Sequence, residues 1–488
     1  MQIINAINDA LWGYFLIAAL LICAVWFTIR TKGVQFSMLR EMVRVLGESP
    51  TQKGDVMETQ EMQLAKGKKK RHISSFQAFA ISLASRVGTG NLAGVACAIG
   101  VGGPGAVFWM WVTSLFGAAT SFVECTLAQL FKIRGKDSFL GGPAYYMERG
   151  LKCHWMGMLF AILMVASFGL ANNSLQCNAI CGAMEGAFGW EPWMVGVVLV
   201  IITLIIIFGG VRRIANFSSI VVPVMAIGYI LLAIVVVFMN IRALPGSIAL
   251  IVKSAFGFRQ AAGGFIGVAV MQGIKRGLFS NEAGEGSSPN AAATAAISHP
   301  VKQGLMQALG VFVDTLVICS CTAFIILCSG VPYNGEMEGI QLTQTALSSQ
   351  IGPVGKYFIA VAILFFAYSS VIGNYYYGEA NIRFLFMNRK KSARSSQVEN
   401  MAIFLFRIFT LVMVMLGALM TLDSVWAMVD LGMALVTTCN LVAIVLLGRY
   451  AFRLLEDYRA QKRRGIKEPV FRKEELFPEI SEVLEGWD

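Results

Sequence analysis

The chain has 488 residues, of which 56% are hydrophobic and only 14% charged, and its formal net charge is +11. A soluble globular domain carries about a quarter charged residues, so this composition excludes a soluble protein and indicates a membrane protein. The positive charge does not indicate a nucleic-acid partner, because the basic residues are spread over short loops between long apolar segments.

About eleven apolar segments are long enough, with their flanks, to cross a lipid bilayer as helices, which takes about 20 residues. The first of them does not have the pattern of a cleavable signal, since no basic region precedes it and no small-residue cleavage site follows it. In chain order the predicted helices span 11–29, 75–101, 105–132, 156–187, 193–210, 217–240, 263–297, 303–329, 354–386, 401–422 and 427–448. We therefore predict an all-α polytopic membrane protein.

Basic residues mark one side of the predicted bundle. If the amino terminus lies outside, four basic segments fall in the cytoplasm: KGKKKRH (66–72), RR (212–213), RKK (389–391) and QKRR (461–464). Most of the opposite loops carry no lysine or arginine, and the loop near 241–262 is the exception. Positive charge concentrates on cytoplasmic loops, so we predict an outer amino terminus and a cytoplasmic carboxyl terminus.

Missing motifs count against several classes of function. The cysteines lie almost entirely within apolar segments without a C-x-x-C, and the histidines fall at helix ends, so neither a disulfide framework nor a metal site is predicted. The chain contains no G-x-x-x-x-G-K-[ST] nucleotide motif, and no nucleophile–base arrangement stands out. We therefore predict no cofactor and no enzymatic activity. Only a partner subunit could supply energy from ATP, and otherwise transport is gradient-driven or passive.

Predicted helix 2 contains the stretch GTGNLAGVAC (88–97), whose glycines weaken a helix. Gly88 lies about 15 residues, or roughly 22 Å, from the start of the helix near Ile73, which places it near mid-bilayer. One interpretation is a packing face, because small residues such as Gly90 and Gly94 seat a neighbouring helix. The other is a functional break, whose freed N–H groups suit a carboxylate and whose freed carbonyls suit Na⁺.

Predicted helix 7 contains a second interruption, FSNEAGEGSSPNAAATAA (279–296). Ser288 suits a helix N-cap and Pro289 the first turn, so we predict that the helix restarts there. Breaks in the first helix of two successive five-helix sets predict a transporter built from repeats, helices 2–6 and 7–11. Because five is odd, the two sets have inverted topology. The predicted divisions are a first helix with a basic linker (1–72), the first repeat (73–240), the second repeat (241–448) and a cytoplasmic tail (449–488).

Four stretches carry a resemblance to a known family: SRVGTGNLAGVA (85–96), GGPGAVFWMWVTSLFG (102–117), GGPAYYMERG (141–150) and KRGLFSNEAGEGSSPNAAA (275–293). They closely resemble the alanine/glycine:cation symporter family, and the similarity extends over essentially the whole chain. The resemblance implies the leucine-transporter-type inverted-repeat fold in a prokaryotic plasma (inner) membrane. It also implies symport of a small neutral amino acid, alanine or glycine first, with Na⁺ or H⁺, and Na⁺ is the cation we expect.

The resemblance and the breaks together point to a set of substrate-binding residues. They are Gly88, Thr89, Gly90 and Asn91 in the first break, Phe279 and Ser280 in the second, Gln176 on helix 4 and Asn374 on helix 9. In this fold the asparagine of a G-x-G-N segment faces substrate and ion, and the alternative for Asn91 is a hydrogen bond that ties the break together. Ordinary core packing is the alternative for Phe279. Asn172, Asn173 and Asn178 lie near Gln176 in the sequence. For these three residues, a polar helix–helix contact is as good an explanation as contact with the substrate.

A Na⁺ site is implied by the same resemblance. In this fold, two adjacent hydroxyl residues on helix 9 complete a sodium site with carbonyls from the first broken helix. Ser369 and Ser370 match the hydroxyl pattern, and Ala84 and Val87 would supply the carbonyls. Paired serines in a membrane helix also bond back to the preceding helical turn. The serine pair therefore indicates a Na⁺ site only in combination with the fold.

Charged residues near the breaks need partners, because an unpaired charge at membrane depth is costly. We predict that Arg86 and Glu282 form a structural ion pair that joins the two broken helices. The alternative is that Glu282 meets the substrate ammonium group.

Asn374 marks a departure from the family pattern, since some members have tryptophan there. The amide leaves more room and adds hydrogen-bonding capacity, which makes a Na⁺-coupled glutamine symporter the alternative within transport. An amino-acid-gated channel or a sensor is the alternative outside it.

Overall fold

The computed structural model describes residues 2–48, 73–135, 138–208, 211–256, 264–333, 337, 339–387 and 393–487. The predicted basic segments 66–72 and 389–391 and the side chains of 212–213 lie outside the described part. Helices account for nearly all of the regular structure there. The strands found among these residues, Ile133–Arg134 and Phe139–Leu140, pair antiparallel.

Eight helices in the described ranges are long and apolar enough to cross a membrane. They are Gln2–Arg30, Gly105–Leu130, His154–Phe188, Asn216–Met239, Pro300–Leu327, Val354–Leu385, Ser396–Leu419 and Leu422–Arg463. Their outer faces expose apolar side chains such as Ile220 and Val224, which are 68% and 67% exposed. An apolar outer surface of this kind fits lipid rather than water. The chain is therefore an all-helical, multi-pass membrane protein, as predicted.

The helix predicted over 75–101 is present as two halves separated by a break, and we call it the first interrupted helix. Its first half, Ser75–Arg86, begins with a capping box in which Ser74 and Gln77 bond to each other's backbone. The chain leaves helical geometry after Arg86 and returns to it over Gly90–Gly102. The glycine-rich stretch singled out in the sequence therefore coincides with a true break in the helix.

The second interrupted helix has a first half over Gly264–Asn281 and resumes over Ser288–Ala292. The backbone between these halves takes positive φ angles at Glu282, Gly284 and Gly286, of 55°, 96° and 81°. Glycine adopts such angles without the steric cost that other residues have. The sequence EAGEG is therefore suited to this sharp connection between the two halves.

Among the described helices of at least ten residues, three were not predicted: Leu39–Glu48, Leu244–Ala255 and Ile340–Ile351. The last two each pack against the start of a long helix at a glycine. A Cβ at Gly105 would lie 2.6 Å from the Ser254 carbonyl carbon, and one at Gly355 would lie 2.7 Å from the backbone of Leu347. Such tertiary contacts stabilise helices that are too short to be marked by a long apolar run.

The carboxyl-terminal part of the chain packs back onto the helix bundle. The helix Leu422–Arg463 continues without interruption past the predicted tail boundary at 449. Beyond it, the N–H of Phe471 donates to the Ser298 carbonyl, at 2.9 Å. The Trp487 indole donates to the carbonyls of Gln129 and Leu130, at 3.0 and 3.2 Å. We call residues 465–487 the tail strap, because they tie the ends of several helices together.

Candidate functional site

The two breaks meet in the centre of the bundle. A Cβ at Gly90 would lie 3.0 Å from the Ser280 Cα and 3.1 Å from the Phe279 ring, so only a glycine permits this approach. The Asn91 amide also donates to the Ser280 hydroxyl, at 3.1 Å. Two helix interruptions that are far apart in sequence are thus in direct contact.

A small buried cavity lies beside this contact. It is lined by Ser85, Arg86, Gly88, Gly90, Phe168, Asn172, Gln176, Phe279, Glu282 and Asn374. Five of the predicted substrate residues are among them, whereas Thr89, Asn91 and Ser280 lie behind the wall and hold it in place. Sequence reasoning did not assign Ser85, Phe168 or Asn172 to the cavity.

Gln176 is held against the first break by Thr89. The Gln176 side-chain oxygen accepts hydrogen bonds from the Thr89 backbone N–H and hydroxyl, at 3.0 and 2.7 Å. Both residues are buried. The remaining amide nitrogen of Gln176 therefore has a fixed position in the cavity wall, with its donor capacity unused by the described residues.

Asn91 ties the break together, which is the second of the two roles left open by the sequence. Its side-chain oxygen accepts the Gly88 N–H at 2.9 Å, and Asn91 is not among the residues that line the cavity. Its amide nitrogen donates to the Asp314 carboxylate at 2.6 Å. A buried amide with both ends bonded fixes the geometry of the loop around it.

Asp314 was missed in the sequence analysis. It is fully buried on a π-helical segment, Phe312–Cys319, and accepts hydrogen bonds from Ser280 and Thr315 at 2.7 and 2.9 Å in addition to the bond from Asn91. The available signal was a single carboxylate in the apolar run VFVDTLVIC, since an ionisable residue inside a membrane segment is a candidate functional residue. Asp314 connects both breaks to a third helix.

Three of the four predicted Na⁺ ligands lie close to one another. The Ser370 and Ser369 hydroxyls lie 3.0 and 3.4 Å from the Ala84 carbonyl oxygen. Both hydroxyls also lie within hydrogen-bond distance of the Phe366 carbonyl, one turn back along their own helix. Val87 ends the first half of the interrupted helix. These oxygens form the kind of donor set that a hard cation prefers.

The prediction of a direct ion pair between Arg86 and Glu282 needs correction. The described residues contain no salt bridge between these two side chains. Instead, the Ser288 hydroxyl accepts a hydrogen bond from Arg86 at 2.7 Å and donates one to Glu282 at 3.2 Å. Ser288 is also the first residue of its helix, and it is not the N-cap that the sequence suggested, because its hydroxyl bridges the two charged groups. The two interrupted helices are joined through a serine.

Two further serines stabilise the Glu282 carboxylate. Ser85 and Ser287 lie 2.5 and 2.6 Å from its oxygens. Arg86 in turn donates to the Gln307 carbonyl at 3.0 Å and to Ser121 at 3.1 Å. Each buried charge therefore has several neutral hydrogen-bonding partners, which lowers the cost of burying it.

Aromatic and charged residues close one side of the cavity. The Phe279 ring packs edge-on against Trp426, with 5.0 Å between ring centroids, and the Arg276 guanidinium lies 3.8 Å from the Trp426 centroid. Arg276 and Lys275 both form salt bridges to Asp430, at 3.1 and 2.7 Å. Of these five residues, which we call the plug, Phe279 lines the cavity and the other four form the contacts behind it.

Glu124 supports the second break from outside the cavity. Its two carboxylate oxygens accept the N–H groups of Gly284 and Gly286, both at 3.1 Å, and one of them also accepts from Asn440 at 2.8 Å. Free backbone N–H groups must find partners at membrane depth. This buried carboxylate supplies them, so it stabilises the connection between the half-helices.

Comparisons with known proteins agree with this architecture. The model of the sodium:alanine symporter family matches residues 1–473. The chain is 50% identical over 475 residues to the probable sodium/glutamine symporter GlnT of Bacillus subtilis (strain 168), covering 97% of this chain and 94% of the relative. It is 49% identical over 471 residues to the amino-acid carrier protein AlsT of the same organism, covering 96% and 94%.

One solved structure supports the fold. The crystal structure of MhsT in complex with L-phenylalanine has a TM-score of 0.54 at 13% identity, covering 86% of this chain and 97% of that one. This likeness confirms the leucine-transporter-type fold implied by the sequence resemblance. The chain belongs to the sodium:alanine symporter family, and it is a transporter, not an enzyme.

Proposed function

We propose that the protein is a secondary active symporter that couples inward movement of Na⁺ to uptake of a small neutral amino acid. The observation that carries this proposal is the cavity at the meeting point of the two interrupted helices, lined by Gly88, Gly90 and Phe279. Substrate sites of transporters with broken helices lie at such points, where freed backbone groups replace water. Membership in the sodium:alanine symporter family supports the same assignment.

Substrate recognition is assigned to both breaks and to the two neighbouring helices. Gly88 and Gly90 let a ligand approach the backbone closely, and Gln176 and Asn374 present amide groups. Thr89, Asn91 and Ser280 keep these groups in place. Glu282 lines the cavity too, so contact with the substrate ammonium is a second role for it beside its serine-bridged link to Arg86.

Alanine and glycine are the first candidate substrates, following the family. Glutamine is the alternative, and one observation favours it: Asn374 lines the cavity with a polar side chain instead of an indole. The relative GlnT, whose name describes a probable sodium/glutamine symporter, is 50% identical to this chain.

The cation site is assigned to Ser369, Ser370, Ala84 and Val87. A bound Na⁺ would take the place of the hydroxyl hydrogen bonds to the Ala84 carbonyl. Because Ala84 lies in the last turn of the half-helix Ser75–Arg86 and Val87 follows it directly, cation binding would hold the break in the shape that the substrate needs. This contact would give the coupling between ion and amino acid a physical basis.

The proposed architecture has eleven membrane-crossing helices, with helices 2–6 and 7–11 as inverted repeats over 73–240 and 241–448. The two interrupted helices are then the first helix of each repeat. Residues 1–72 supply an additional helix and linker, and 449–488 supply the carboxyl-terminal segment. We place the protein in the inner membrane of a prokaryotic cell, with its amino terminus outside and with an amino acid, a cation and lipid as its partners.

Alternating access would open one side of the cavity at a time. In the proposed orientation the plug is the outer closure, since the half-helix that carries Arg276 enters from outside. Arg86, Ser288 and Glu282 would form part of the inner closure. Opening the outside requires separation of Arg276 from Asp430, and water that enters from outside would solvate the two separated charges.

Uptake by the purified protein in proteoliposomes tests this proposal. We expect an inward Na⁺ gradient to drive accumulation of labelled alanine, glycine or glutamine, whereas an equal K⁺ gradient should not. An imposed proton gradient distinguishes H⁺ coupling. Absence of gradient-driven accumulation of all neutral amino acids would contradict the proposal, and channel-like conductance would favour the amino-acid-gated channel.

A further inference from the structure

We propose that Asn172 forms a hydrogen bond to the substrate side chain, and that the preferred substrate is a neutral amino acid with a side-chain carboxamide. This inference rests on the proposed transport function and narrows its substrate class. It starts from a polar residue in the cavity wall that the structure leaves without a partner.

Asn172 is the first residue of the α-helical stretch Asn172–Phe188, directly after the π-helical turn Val165–Ala171. Such π-turns recur at functional sites, because the extra residue shifts the side chains that follow. Asn172 is only 3% exposed and lines the cavity one helical turn from Gln176. Its side-chain oxygen has no hydrogen-bond partner in the described part of the chain.

The neighbouring asparagines differ from Asn172, because neither of them is among the residues that line the cavity. Asn173 donates to the Gly169 carbonyl at 2.9 Å, one turn back on its own helix, and its side-chain oxygen also lacks a partner in the described part of the chain. Asn178 donates to the carbonyls of Gly417 and Met420, which joins two helices. Polar helix contacts therefore account for the amide nitrogens of Asn173 and Asn178, whereas no such contact is found for Asn172 among the described residues, and Asn172 lines the cavity. A buried amide with no partner is what a binding site needs when its partner is the ligand.

Two other amides in the wall also have unused capacity. The oxygen of Gln176 is bonded twice to Thr89, and its nitrogen has no partner among the described residues. One end of the Asn374 amide lies 2.8 Å from the Ser85 hydroxyl, and its other end is likewise unused there. The wall therefore offers both donors and an acceptor to whatever occupies the cavity.

A carboxamide matches this wall, because it carries an oxygen that accepts and a nitrogen that donates. The methyl group of alanine and the hydrogen of glycine would leave the Asn172 oxygen buried and unpaired. A carboxylate side chain has no donor for that oxygen, and it would bring a second negative charge beside Glu282. Sites built to bond a polar substrate group reject analogues that lack it.

Competition for Na⁺-driven uptake of labelled glutamine tests this inference in proteoliposomes. We expect unlabelled glutamine and asparagine to compete at concentrations at least about tenfold lower than alanine, glycine, serine or glutamate. This comparison uses the unmodified protein and so does not depend on the folding of a variant. Equal or stronger competition by alanine would overturn the inference while leaving the proposed symport intact.

The variant Asn172→Leu has a similar volume without the amide. We expect it to raise the half-maximal glutamine concentration by about tenfold or more and to change that of alanine by less than about twofold. The matched control is Asn173→Leu, on the same helix and equally buried, which should leave the ratio of glutamine to alanine affinities unchanged. An equal loss of both substrates in Asn172→Leu would contradict a side-chain role. Failure of the unmodified protein to accumulate any neutral amino acid would instead refute the proposed function itself.

Discussion

At Gly88, the addition of a single methyl group should disturb both the proposed substrate site and the proposed cation site. A Cβ there would lie 2.1 Å from the Ser370 hydroxyl oxygen and 3.0 Å from the Gln176 side-chain oxygen. Atoms cannot remain that close, so Gly88→Ala must displace the Ser370 side chain or the break itself. We expect the Na⁺ concentration for half-maximal uptake to rise by about tenfold or more, measured by sodium titration of uptake.

Gly100→Ala is the matched control for this change. Gly100 lies on the second half of the same interrupted helix, and a Cβ there would meet nothing within 4 Å. Its Na⁺ dependence should equal that of the unmodified protein. If Gly88→Ala also kept a normal Na⁺ dependence, the cation would have to bind away from Ser370.

Residue identities predicted much of the candidate site but not how its side chains are directed. The glycines of GTGN, the FS pair and the paired serines could be chosen from the sequence and the resemblance. The direction of the Asn91 amide could not, because its partner Asp314 lies 223 positions away along the chain. The unpartnered state of Asn172 was equally hidden, since it depends on which carbonyls the folded helix brings near.

At the scale of elements, Ser288 joins the two interrupted helices. The substitution Ser288→Ala removes the hydroxyl that accepts a hydrogen bond from Arg86 at 2.7 Å and donates one to Glu282 at 3.2 Å. Leaving buried charged groups short of partners costs about 1–3 kcal/mol. We therefore expect a lower melting temperature for the purified variant, measured by thermal unfolding in detergent.

Ser349→Ala controls for the loss of a helical serine. The Ser349 hydroxyl donates at 2.9 Å to the Ala346 carbonyl of its own helix, and among the described residues it bonds to no other element. Its removal should leave the melting temperature nearly unchanged. Equal melting temperatures for both variants would show that the serine bridge contributes little to the contact between the interrupted helices.

Apolar runs predicted the elements well where a helix is long. The predicted span 354–386 corresponds to Val354–Leu385, for example. The short helix Leu244–Ala255 was missed, because the charged and polar residues around it are typical of a loop. Its stability comes from packing on Gly105–Leu130, which the sequence does not show. The cap at Ser288 was misjudged for a related reason. A hydroxyl that serves two charged side chains is not available to cap the backbone.

The whole molecule is held together at one end by the tail strap. Trp487 is 7% exposed, packs against Phe471 with 5.1 Å between ring centroids, and lies 4.3 Å below the Lys132 ammonium. Truncation of a buried tryptophan to alanine costs about 3–5 kcal/mol. We expect Trp487→Ala to lower the melting temperature strongly in detergent-solubilised protein.

The control for this change is Trp155→Ala. Trp155 is 68% exposed, so its truncation removes a ring of the same size without opening a cavity. Its melting temperature should stay close to that of the unmodified protein. A Trp487→Ala variant as stable as this control would mean that the strap rests on the bundle without supporting it.

The strap has a consequence for biosynthesis. Trp487 follows its hydrogen-bonding partner Gln129 by 358 positions. At about 5–20 residues per second, the ribosome needs about 20–70 s between these two residues. Throughout that interval the carbonyls of Gln129 and Leu130 lack the indole donor that they have in the folded protein. We therefore expect this end of the nascent bundle to stay accessible to chaperones and membrane proteases until Trp487 has been synthesised and docks.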